Sequence, residues 1–538
     1  MASASFVCRL RQRVNLALLA SLCALLTACA GLPRDVQRTP SRAIAASADT
    51  ELGRIALTSA PDRTRSGFRL LSWSAQSLAA RIELIRRAQV SLDVQYYVIH
   101  DDETGRHVLR ALRDAAERGV RVRLLVDDLY TAGTDPLLLG LAAYPNAEVR
   151  LFNPFPMGRD SLSARLTLSL FDLGRVNHRM HNKLLVADGA MAVAGGRNIG
   201  NEYFMVSGLA NYIDLDAFAV GPIVATLAGM FDQYWNSDVV FPVRSIAVPE
   251  GTDAEQRARF EALTDPARGA PPAPAPRYAK DISEQRNVEE ELAEGRLDLQ
   301  WAEAEAFADS PDKVLRHSRR AATDRSEPKT VRQGLMRELL RSRREVLVSS
   351  PYFVPNAEVI EDIREGRLWG LQITIVTNSL ASTDEPLVHA GYQRYRHAMV
   401  DLGVQLYEVV PSQVSRSRDL GTFGQSIGRF HAKAAAIDDE VLFIGSLNFD
   451  PRSEKLNTEL GLFIRSPALA AQLMHLGTLV TSQAAYRVRL AKDKSGLEWV
   501  LPNPDGGAET VLTSEPDTGF FERLWLQLIG PLVPEDVL

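Results

Sequence analysis

Two stretches, His181–Asn198 (HNKLLVADGAMAVAGGRN) and His431–Asn448 (HAKAAAIDDEVLFIGSLN), follow one frame. Each opens with His-x-Lys, reaches an aspartate after four more residues and closes with Gly-x-x-Asn. The 538-residue chain holds nine histidines, so two matches in the same register rarely arise by chance. The repetition therefore predicts a duplicated unit with the same constellation of side chains in both copies.

The pattern within each stretch predicts a β-hairpin. The residues after the lysine are apolar up to the aspartate and then apolar again, as in a strand, a tight turn and a returning strand. Residues i and i+2 of a strand share a face, so each histidine should project beside its lysine, with the asparagine returning next to both. The two sets are His181, Lys183 and Asn198, and His431, Lys433 and Asn448.

An imidazole, an ammonium and a carboxamide together suit a phosphate group. Displacement at phosphorus needs a nucleophile on one side and an acid on the leaving oxygen opposite. Two sets that face each other across a pseudo-two-fold axis would supply both. A purely structural buried His–Lys pair is the alternative, and a metal site is disfavoured because lysine is a poor ligand.

The surrounding elements repeat as well. A helical pattern and three strand patterns precede each copy, over residues 76–152 and again over 334–410. A repeat of this length predicts two homologous α/β domains, each with a central sheet covered by helices on both faces. The boundaries predicted for the whole chain are a signal peptide (1–28), a tether (29–65), a first domain (66–249), a Pro-rich and acidic inter-domain segment (250–330), a second domain (331–490) and a C-terminal tail (491–538).

The composition is that of a globular protein, with 46% hydrophobic and 24% charged residues. A net charge of −6 argues against a nucleic-acid partner, which usually binds a basic stripe. The apolar run Phe520–Leu532 could lie at a membrane interface or pack on the protein core.

The amino terminus has the features of an export signal. A basic start precedes the apolar run Val14–Leu26, which is too short to span a bilayer. The run ends in Leu26–Cys29 (LTAC), which resembles a lipobox, and the resemblance implies cleavage before Cys29 and lipidation of that residue. The alternative is an ordinary signal peptide cleaved after Ala28 or Ala30. All three cysteines lie in this leader, so the mature chain would have no disulfide and no thiolate metal site.

The duplicated motif resembles the twin His-x-Lys-x4-Asp motifs of the phospholipase D superfamily. The segments RMHNKLLVADGAMAVAGGRNIGNEYF, YIDLDAFAVGP, FDQYWNS, SSPYFVP and GSLNFDPRSEKLNTELG resemble bacterial cardiolipin synthases of the C group. The resemblance covers nearly all of the chain after the leader. It implies two phospholipase D-like α/β/α sandwich domains with pseudo-two-fold symmetry and one shared active site.

The resemblance also implies a reaction. One histidine becomes a phosphohistidine, the other protonates the departing alcohol, and no metal or other cofactor takes part. By resemblance we expect His181 to be the nucleophile and phosphatidylglycerol to become cardiolipin, with phosphatidylglycerol or phosphatidylethanolamine as donor. The expected partners are phospholipids and a membrane, with both motifs in a monomer and an accessory protein left open. A phospholipase D that releases phosphatidic acid, a nuclease of the superfamily and a non-catalytic headgroup-binding lipoprotein are the alternatives.

The family orients each histidine with a downstream carboxylate. Aligning the two halves assigns Asp214 to His181 and Glu459 to His431. Other residues are candidates by their position in the repeat. Asp188 and Asp438, at the hairpin turns, are expected to be structural or catalytic. Ser446, which stands where the first copy has Gly196, is expected to bind or orient the phosphate. His178 is expected to be a packing or rim residue. The resemblance to sorted bacterial lipoproteins implies the outer membrane of a Gram-negative cell, because Ala30 and not an aspartate follows Cys29.

Overall fold

The structure is a computed structural model. It describes residues 31–268, 286–315, 330–364, 370–417, 419–421, 423–493, 496–501 and 508–534. The predicted signal peptide with Cys29, and the Pro-rich stretch 269–276, lie outside the described residues.

The first half of the chain folds around a mixed sheet. In order of pairing, the sheet places β1 beside β8, then β6, β5, β2, β3, β4 and β9. The central trio β2, β3 and β4 is parallel, and the other pairs are antiparallel. The strands of this half are β1 (Ser66–Leu71), β2 (Ser91–Tyr96), β3 (Arg121–Asp127), β4 (Ala147–Phe152), β5 (Leu184–Ala187), β6 (Met191–Gly195), β7 (Ala210–Ile213), β8 (Asp216–Val220) and β9 (Val240–Pro242).

The second half repeats this sheet. Its pairing order is β17, β16, β15, β11, β12, β13, β18, β19 and β20, with β11, β12 and β13 parallel. The remaining strands are β10 (Gln300–Ala308), β11 (Glu345–Ser349), β12 (Gln372–Asn378), β13 (Gln405–Val409), β14 (Ile427–Phe430), β15 (Ala434–Ile437), β16 (Val441–Gly445), β17 (Leu460–Arg465), β18 (Ala485–Leu490), β19 (Leu497–Leu501) and β20 (Thr510–Leu512). The predicted duplication of an α/β domain is confirmed.

Helices connect the strands in both halves. Those of the first half are α1 (Glu51–Ser59), α2 (Ser74–Arg87), α3 (Glu103–Glu117), α4 (Asp135–Leu141), α5 (Leu162–Leu168), α6 (Leu173–Val176) and α7 (Pro222–Trp235). The inter-domain segment contributes α8 (Asp253–Thr264) and α9 (Val288–Glu294). The second half has α10 (Val331–Arg341), α11 (Ala357–Arg364), α12 (Pro386–Asp401), α13 (Pro411–Val414), α14 (Pro451–Lys455), α15 (Pro467–Gln483) and α16 (Phe520–Ile529). No helix among the described residues is long and apolar enough to cross a bilayer.

A central hydrophobic cluster joins the two halves. It contains Phe231 of α7 and Leu473 of α15 together with inward-facing side chains of both sheets, such as Leu184 and Ala434. Burying each such side chain contributes about 1.5–3 kcal/mol. The two halves are therefore one packed body, which keeps the two histidine motifs in a constant relation.

The predicted inter-domain segment is more than a spacer. Its strand β10 pairs with β1 through residues 300–302 and with β17 through residues 303–308, so it links the two sheets edge to edge. Its acidic part also has a buried partner, because Glu291 accepts a hydrogen bond from Arg69 at 2.7 Å. Composition does not indicate these contacts, because pairing with sheet edges depends on tertiary neighbours.

The predicted tether is also bound to the body of the protein. Two buried arginines of the first sheet donate to its carbonyl groups, Arg123 to Ser41 at 3.1 Å and Arg150 to Thr39 at 2.6 Å. Helix α1 then buries Leu52 and Ile55. The residues before α1 show no apolar periodicity in the sequence, because their contacts with the domain are made through backbone groups as well as side chains. The predicted C-terminal tail likewise belongs to the second domain, since β19 and β20 extend its sheet.

Candidate active site

The two predicted hairpins lie in the middle of their sheets. Strands β5 and β6 are held between β2 and β8, and strands β15 and β16 between β11 and β17. All their residues are buried, which explains why these strands are apolar on both faces. The histidine and lysine of each motif come just before the first strand of the hairpin, beside the carboxyl ends of the parallel trio.

The aspartates of the two motifs do not belong to the active site. Asp188 lies in the turn between β5 and β6 and accepts hydrogen bonds from the backbone of residues 89–91 at 2.8–3.1 Å. Asp438 does the same for residues 343–345 in the other half. Both have positive φ angles, 51° and 54°, in the left-handed region that tight turns require. The catalytic alternative for these two residues is therefore wrong, and they anchor each hairpin to the start of a neighbouring strand.

Each histidine is held by a carboxylate from the other half of the chain. His181 donates from Nδ1 to Oε2 of Glu459 at 2.9 Å, and His431 donates from Nδ1 to Oδ2 of Asp214 at 2.6 Å. The predicted pairing, Asp214 with His181 and Glu459 with His431, is therefore wrong. The aligned carboxylates are equivalent by symmetry, but each one points across the pseudo-two-fold axis.

Backbone contacts explain why the carboxylates cross the axis. The amide of His181 donates to the carbonyl of Thr458, and the amide of His431 donates to the carbonyl of Ile213, both at 2.8 Å. Strands β7 and β14, one from each half, also pair in parallel immediately before Asp214 and His431. The residue preceding each carboxylate is thus hydrogen-bonded to the opposite motif.

Both motif lysines are buried. Burial holds the pKa of Lys183 well below its ordinary value and lowers the pKa of Lys433 to about 8. Each ammonium donates to the backbone carbonyl of its own motif histidine. Within the described parts of the chain, neither lies within 4.0 Å of a carboxylate oxygen. A buried cation without a paired anion is unfavourable unless an anion binds there, so the lysines suit a phosphate.

Burial favours the neutral form of both imidazoles. Burial and the positive charges of Lys183 and Lys433 hold the pKa of His181 well below its ordinary value. Burial and Lys433 also lower the pKa of His431, but the charge of Asp214 opposes that effect. With Nδ1–H bonded to a carboxylate, the His181 ring presents Nε2 for chemistry, and Nε2 of His431 lies 3.0 Å from Nζ of Lys433. His431 is therefore the easier of the two to protonate.

The residues before the two asparagines make the halves unequal. A side chain at Gly196 would meet Oδ1 of Asp214 at 2.1 Å, so this glycine makes room for the carboxylate. Ser446, at the matching position, instead donates from Oγ to Oε2 of Glu459. Burial raises the pKa of Glu459 to about 7. Gly195 and Gly445 closely approach neighbouring strands.

The two asparagines have different environments. Asn198 accepts from the amide of Val98 at 3.2 Å and donates to the hydroxyl of Tyr203 at 2.9 Å. The Oδ1 atom of Asn448 has no hydrogen-bond partner among the described residues. His178 is buried, with Nδ1 2.9 Å from the carbonyl of Leu456, as expected for a packing residue.

Aromatic side chains that the sequence motifs do not identify surround the histidines. The ring of Tyr97 lies 5.0 Å from that of His181, and the rings of Tyr203 and Tyr212 lie 5.3 and 4.9 Å from that of His431. Tyr97 and Tyr203 follow the ends of β2 and β6 at unrelated spacings, and Tyr212 lies within β7. Only their position at the carboxyl edge of a sheet could have indicated them.

An acidic group lies on the His431 side. Asp384 accepts hydrogen bonds from the hydroxyl of Tyr352 at 2.6 Å and from that of Tyr212 at 3.0 Å. The positive charge that His431 can carry helps to lower the pKa of Asp384, together with these hydrogen bonds and against burial. The pocket therefore has a negatively charged side next to His431, which the sequence motifs did not reveal.

Comparison with known proteins places these features in a family. The family model described as "Cardiolipin synthase, PLD-like domain" matches residues 81–235 and 335–476. Cardiolipin synthase C of Escherichia coli is 38% identical over 481 residues, covering 87% of this chain and 95% of that protein. A cardiolipin synthase of Staphylococcus aureus is 26% identical over 414 residues, covering 76% and 67%. The crystal structure of phosphatidylserine synthase from Haemophilus influenzae shares the fold, with a TM-score of 0.54, 13% identity and coverage of 91% of this chain and 100% of that one.

Proposed function

The chain belongs to the cardiolipin synthase family with phospholipase D-like domains and is a phosphatidyltransferase of that type, and we propose that its product is cardiolipin. The observation that carries the proposal is the shared site. Two buried histidines, each held by a carboxylate from the other half, lie with two buried lysines that lack a paired anion among the described residues. One such set could not supply both a nucleophile and an acid.

In the first half-reaction the lysines bind the phosphodiester of a donor phospholipid. Nε2 of His181 attacks phosphorus, the bond to the headgroup oxygen breaks, and protonated His431 gives its proton to that oxygen. Glu459 stabilises the positive charge that develops on the His181 ring. In the second half-reaction a hydroxyl of phosphatidylglycerol gives its proton to His431 and attacks phosphorus, and the phosphorus–nitrogen bond breaks.

The unequal electrostatics of the two histidines support this assignment of roles. A nucleophile must be neutral, and the pKa of His181 is held well below its ordinary value by burial and two lysines. An acid must carry a proton, and Asp214 favours the protonated form of His431. The negative charge of a bound phosphodiester favours that form further.

The acidic side of the pocket supports phosphatidylethanolamine as a donor. The leaving alcohol departs next to His431, where Asp384 lies between two tyrosine hydroxyls. An ammonium group can pair with a carboxylate and lie against aromatic faces, whereas a glycerol headgroup can offer hydroxyl groups alone.

The product assay tests the function. We expect purified protein in mixed micelles of phosphatidylglycerol and phosphatidylethanolamine, with excess chelator present, to form cardiolipin and to release ethanolamine and glycerol. The physical reason is that a pocket with bound acceptor lipid excludes water from the phosphohistidine. Mass spectrometry identifies the lipid products. Phosphatidic acid as the sole product would identify a phospholipase D instead.

The proposed localisation is a lipidated protein on the outer membrane of a Gram-negative cell. One support is the Leu26–Cys29 motif. The other is the short distance from Cys29 to the folded domain, since Arg38 already donates to the carbonyl of Val240 at 2.7 Å. The chain between Cys29 and Arg38 reaches at most about 30 Å when extended. An acyl group on Cys29 would therefore hold the protein close to a bilayer.

Replacing the lipidated residue tests this localisation. Cys29→Ser protein is expected to remain uncleaved and to carry no acyl chain, whereas the wild-type mature chain begins at a diacylated or triacylated Cys29. Mass spectrometry of the amino-terminal peptide, with fractionation of inner and outer membranes, measures both properties. Cys23→Ser is the matched control, because Cys23 lies within the apolar run. Wild-type processing of the Cys29→Ser protein would contradict the proposal.

A further inference from the structure

The edge of the molecule that carries the active site also carries its most exposed hydrophobic helices. The carboxyl ends of the parallel strands β2–β4 and β11–β13 meet at this edge. We propose that this edge is a docking face that lies on a lipid bilayer, with apolar side chains of α5–α6 and of α16 inserted among the lipids. The inference rests on the proposed function, since it explains how phospholipids reach the histidines.

The first docking element is the segment Leu162–Val176, which contains α5 and α6. It follows the carboxyl end of β4 and leads directly into the first histidine motif. Phe171 is fully exposed, and Leu170 is 58% exposed. Its exposed large hydrophobic side chains are those of Leu162, Leu166, Leu168, Leu170, Phe171 and Leu173. Exposed apolar residues in such a group are uncommon on soluble proteins.

Two arginines hold this segment beside the active site. Arg165 is buried and donates to the carbonyl of Asp128, and Arg175 donates to Oδ1 of Asn153 at 2.6 Å. Asp128 and Asn153 follow the carboxyl ends of β3 and β4. The ring of Tyr130, in the same loop as Asp128, lies 5.4 Å from that of Tyr97, which contacts His181. The segment therefore borders the His181 side of the pocket.

The second docking element is α16, on the opposite half. Its single buried side chain among the described residues is Leu526, which packs on Leu380 and Ala390. Leu380 follows the carboxyl end of β12, in the loop that leads to Asp384. Phe521 is 82% exposed and Leu528 66% exposed. The helix thus has one fully buried side chain among the described residues, and its aromatic and leucine side chains border the His431 side of the site.

The position of the amino terminus indicates a bilayer as the occupant. Among the described residues, Arg38 is the first with a hydrogen bond to the rest of the domain, and it donates to the carbonyl groups of Val240 and Asp238. Val240 pairs with Phe152 at the carboxyl end of β4, so the chain that leads back to Cys29 leaves the body at the docking edge. A protein that covered both apolar elements would close the pocket between them, whereas a bilayer delivers phospholipids into it.

Quenching in reconstituted vesicles tests the docking face. The full-length, acylated protein is placed in vesicles of phosphatidylcholine and phosphatidylglycerol that carry a nitroxide on the lipid. An environment-sensitive dye is attached at Phe171→Cys, Phe521→Cys or Val248→Cys, each tested separately. Val248 is 84% exposed and follows β9 toward the opposite edge, so it is the matched control. We expect at least twofold quenching at positions 171 and 521 and none at 248; equal quenching at all three, or none, would overturn the docking face.

A rate comparison separates docking from catalysis. The double variant Phe171→Ser/Phe521→Ser is expected to lose at least tenfold in rate on vesicles while staying within twofold of wild type on monomeric short-chain phosphatidylglycerol. An equal loss on both substrates would mean that the side chains shape the pocket, and would overturn the proposal. A change of product from cardiolipin to phosphatidic acid would refute the proposed function and leave the quenching result intact.

Discussion

Replacing either motif histidine is expected to lower turnover by about 10⁴- to 10⁶-fold, because each one has a role that the other cannot take over. In His181→Ala no phosphohistidine can form. In His431→Ala the leaving alcohol departs unprotonated. Phosphatidyltransfer measured with labelled phosphatidylglycerol gives the loss for each variant, and thermal unfolding measures stability. His475→Ala is the control, because His475 is exposed and lies in α15.

A substrate with a good leaving group assigns the two roles. A phosphatidyl p-nitrophenyl ester needs no acid in the first half-reaction, so His431→Ala should still release one equivalent of p-nitrophenol per site in a rapid burst. His181→Ala should release none. A burst in His181→Ala and its absence in His431→Ala would exchange the roles of nucleophile and acid.

Glu459→Gln and Asp214→Asn are expected to lower turnover by about 10² to 10⁴-fold, since each amide removes the negative charge that orients and stabilises an imidazolium. The cross-axis pairing adds a specific expectation. The ring nitrogen resonances of His181 should move most in Glu459→Gln, and those of His431 most in Asp214→Asn. Nuclear magnetic resonance of ¹⁵N-histidine-labelled protein measures both.

Asp188→Asn is the matched control for the carboxylates. Asp188 is a buried motif residue that holds the backbone of residues 89–91, so its replacement should lower the melting temperature and leave the histidine resonances in place. Movement of the His181 resonances in Asp214→Asn, with none in Glu459→Gln, would restore the pairing within each half that alignment of the repeat predicts.

The sequence was sufficient for the duplicated α/β fold, and it also indicated the four motif side chains that we propose for the centre of the site. The His-x-Lys spacing acts over two residues at the start of one hairpin, and such local geometry follows from backbone periodicity alone. The hairpin turns at Asp188 and Asp438 were predictable for the same reason. Their role as backbone anchors was not, because the amides that they bind belong to strands about a hundred residues away in the chain.

Three features could be identified only from the tertiary structure. They are the carboxylate partner of each histidine, the pairing of β10 with both sheets, and the acidic side of the pocket. Alignment of two repeats reveals that Asp214 and Glu459 are equivalent, but symmetry leaves open whether each serves its own half or the opposite one. Backbone hydrogen bonds between the two halves decide this. The amide of His431, for example, donates to the carbonyl of Ile213 across the pseudo-two-fold axis. Local sequence determines which face of a strand a side chain occupies; which partner it meets there is determined by the packing of the two halves against each other.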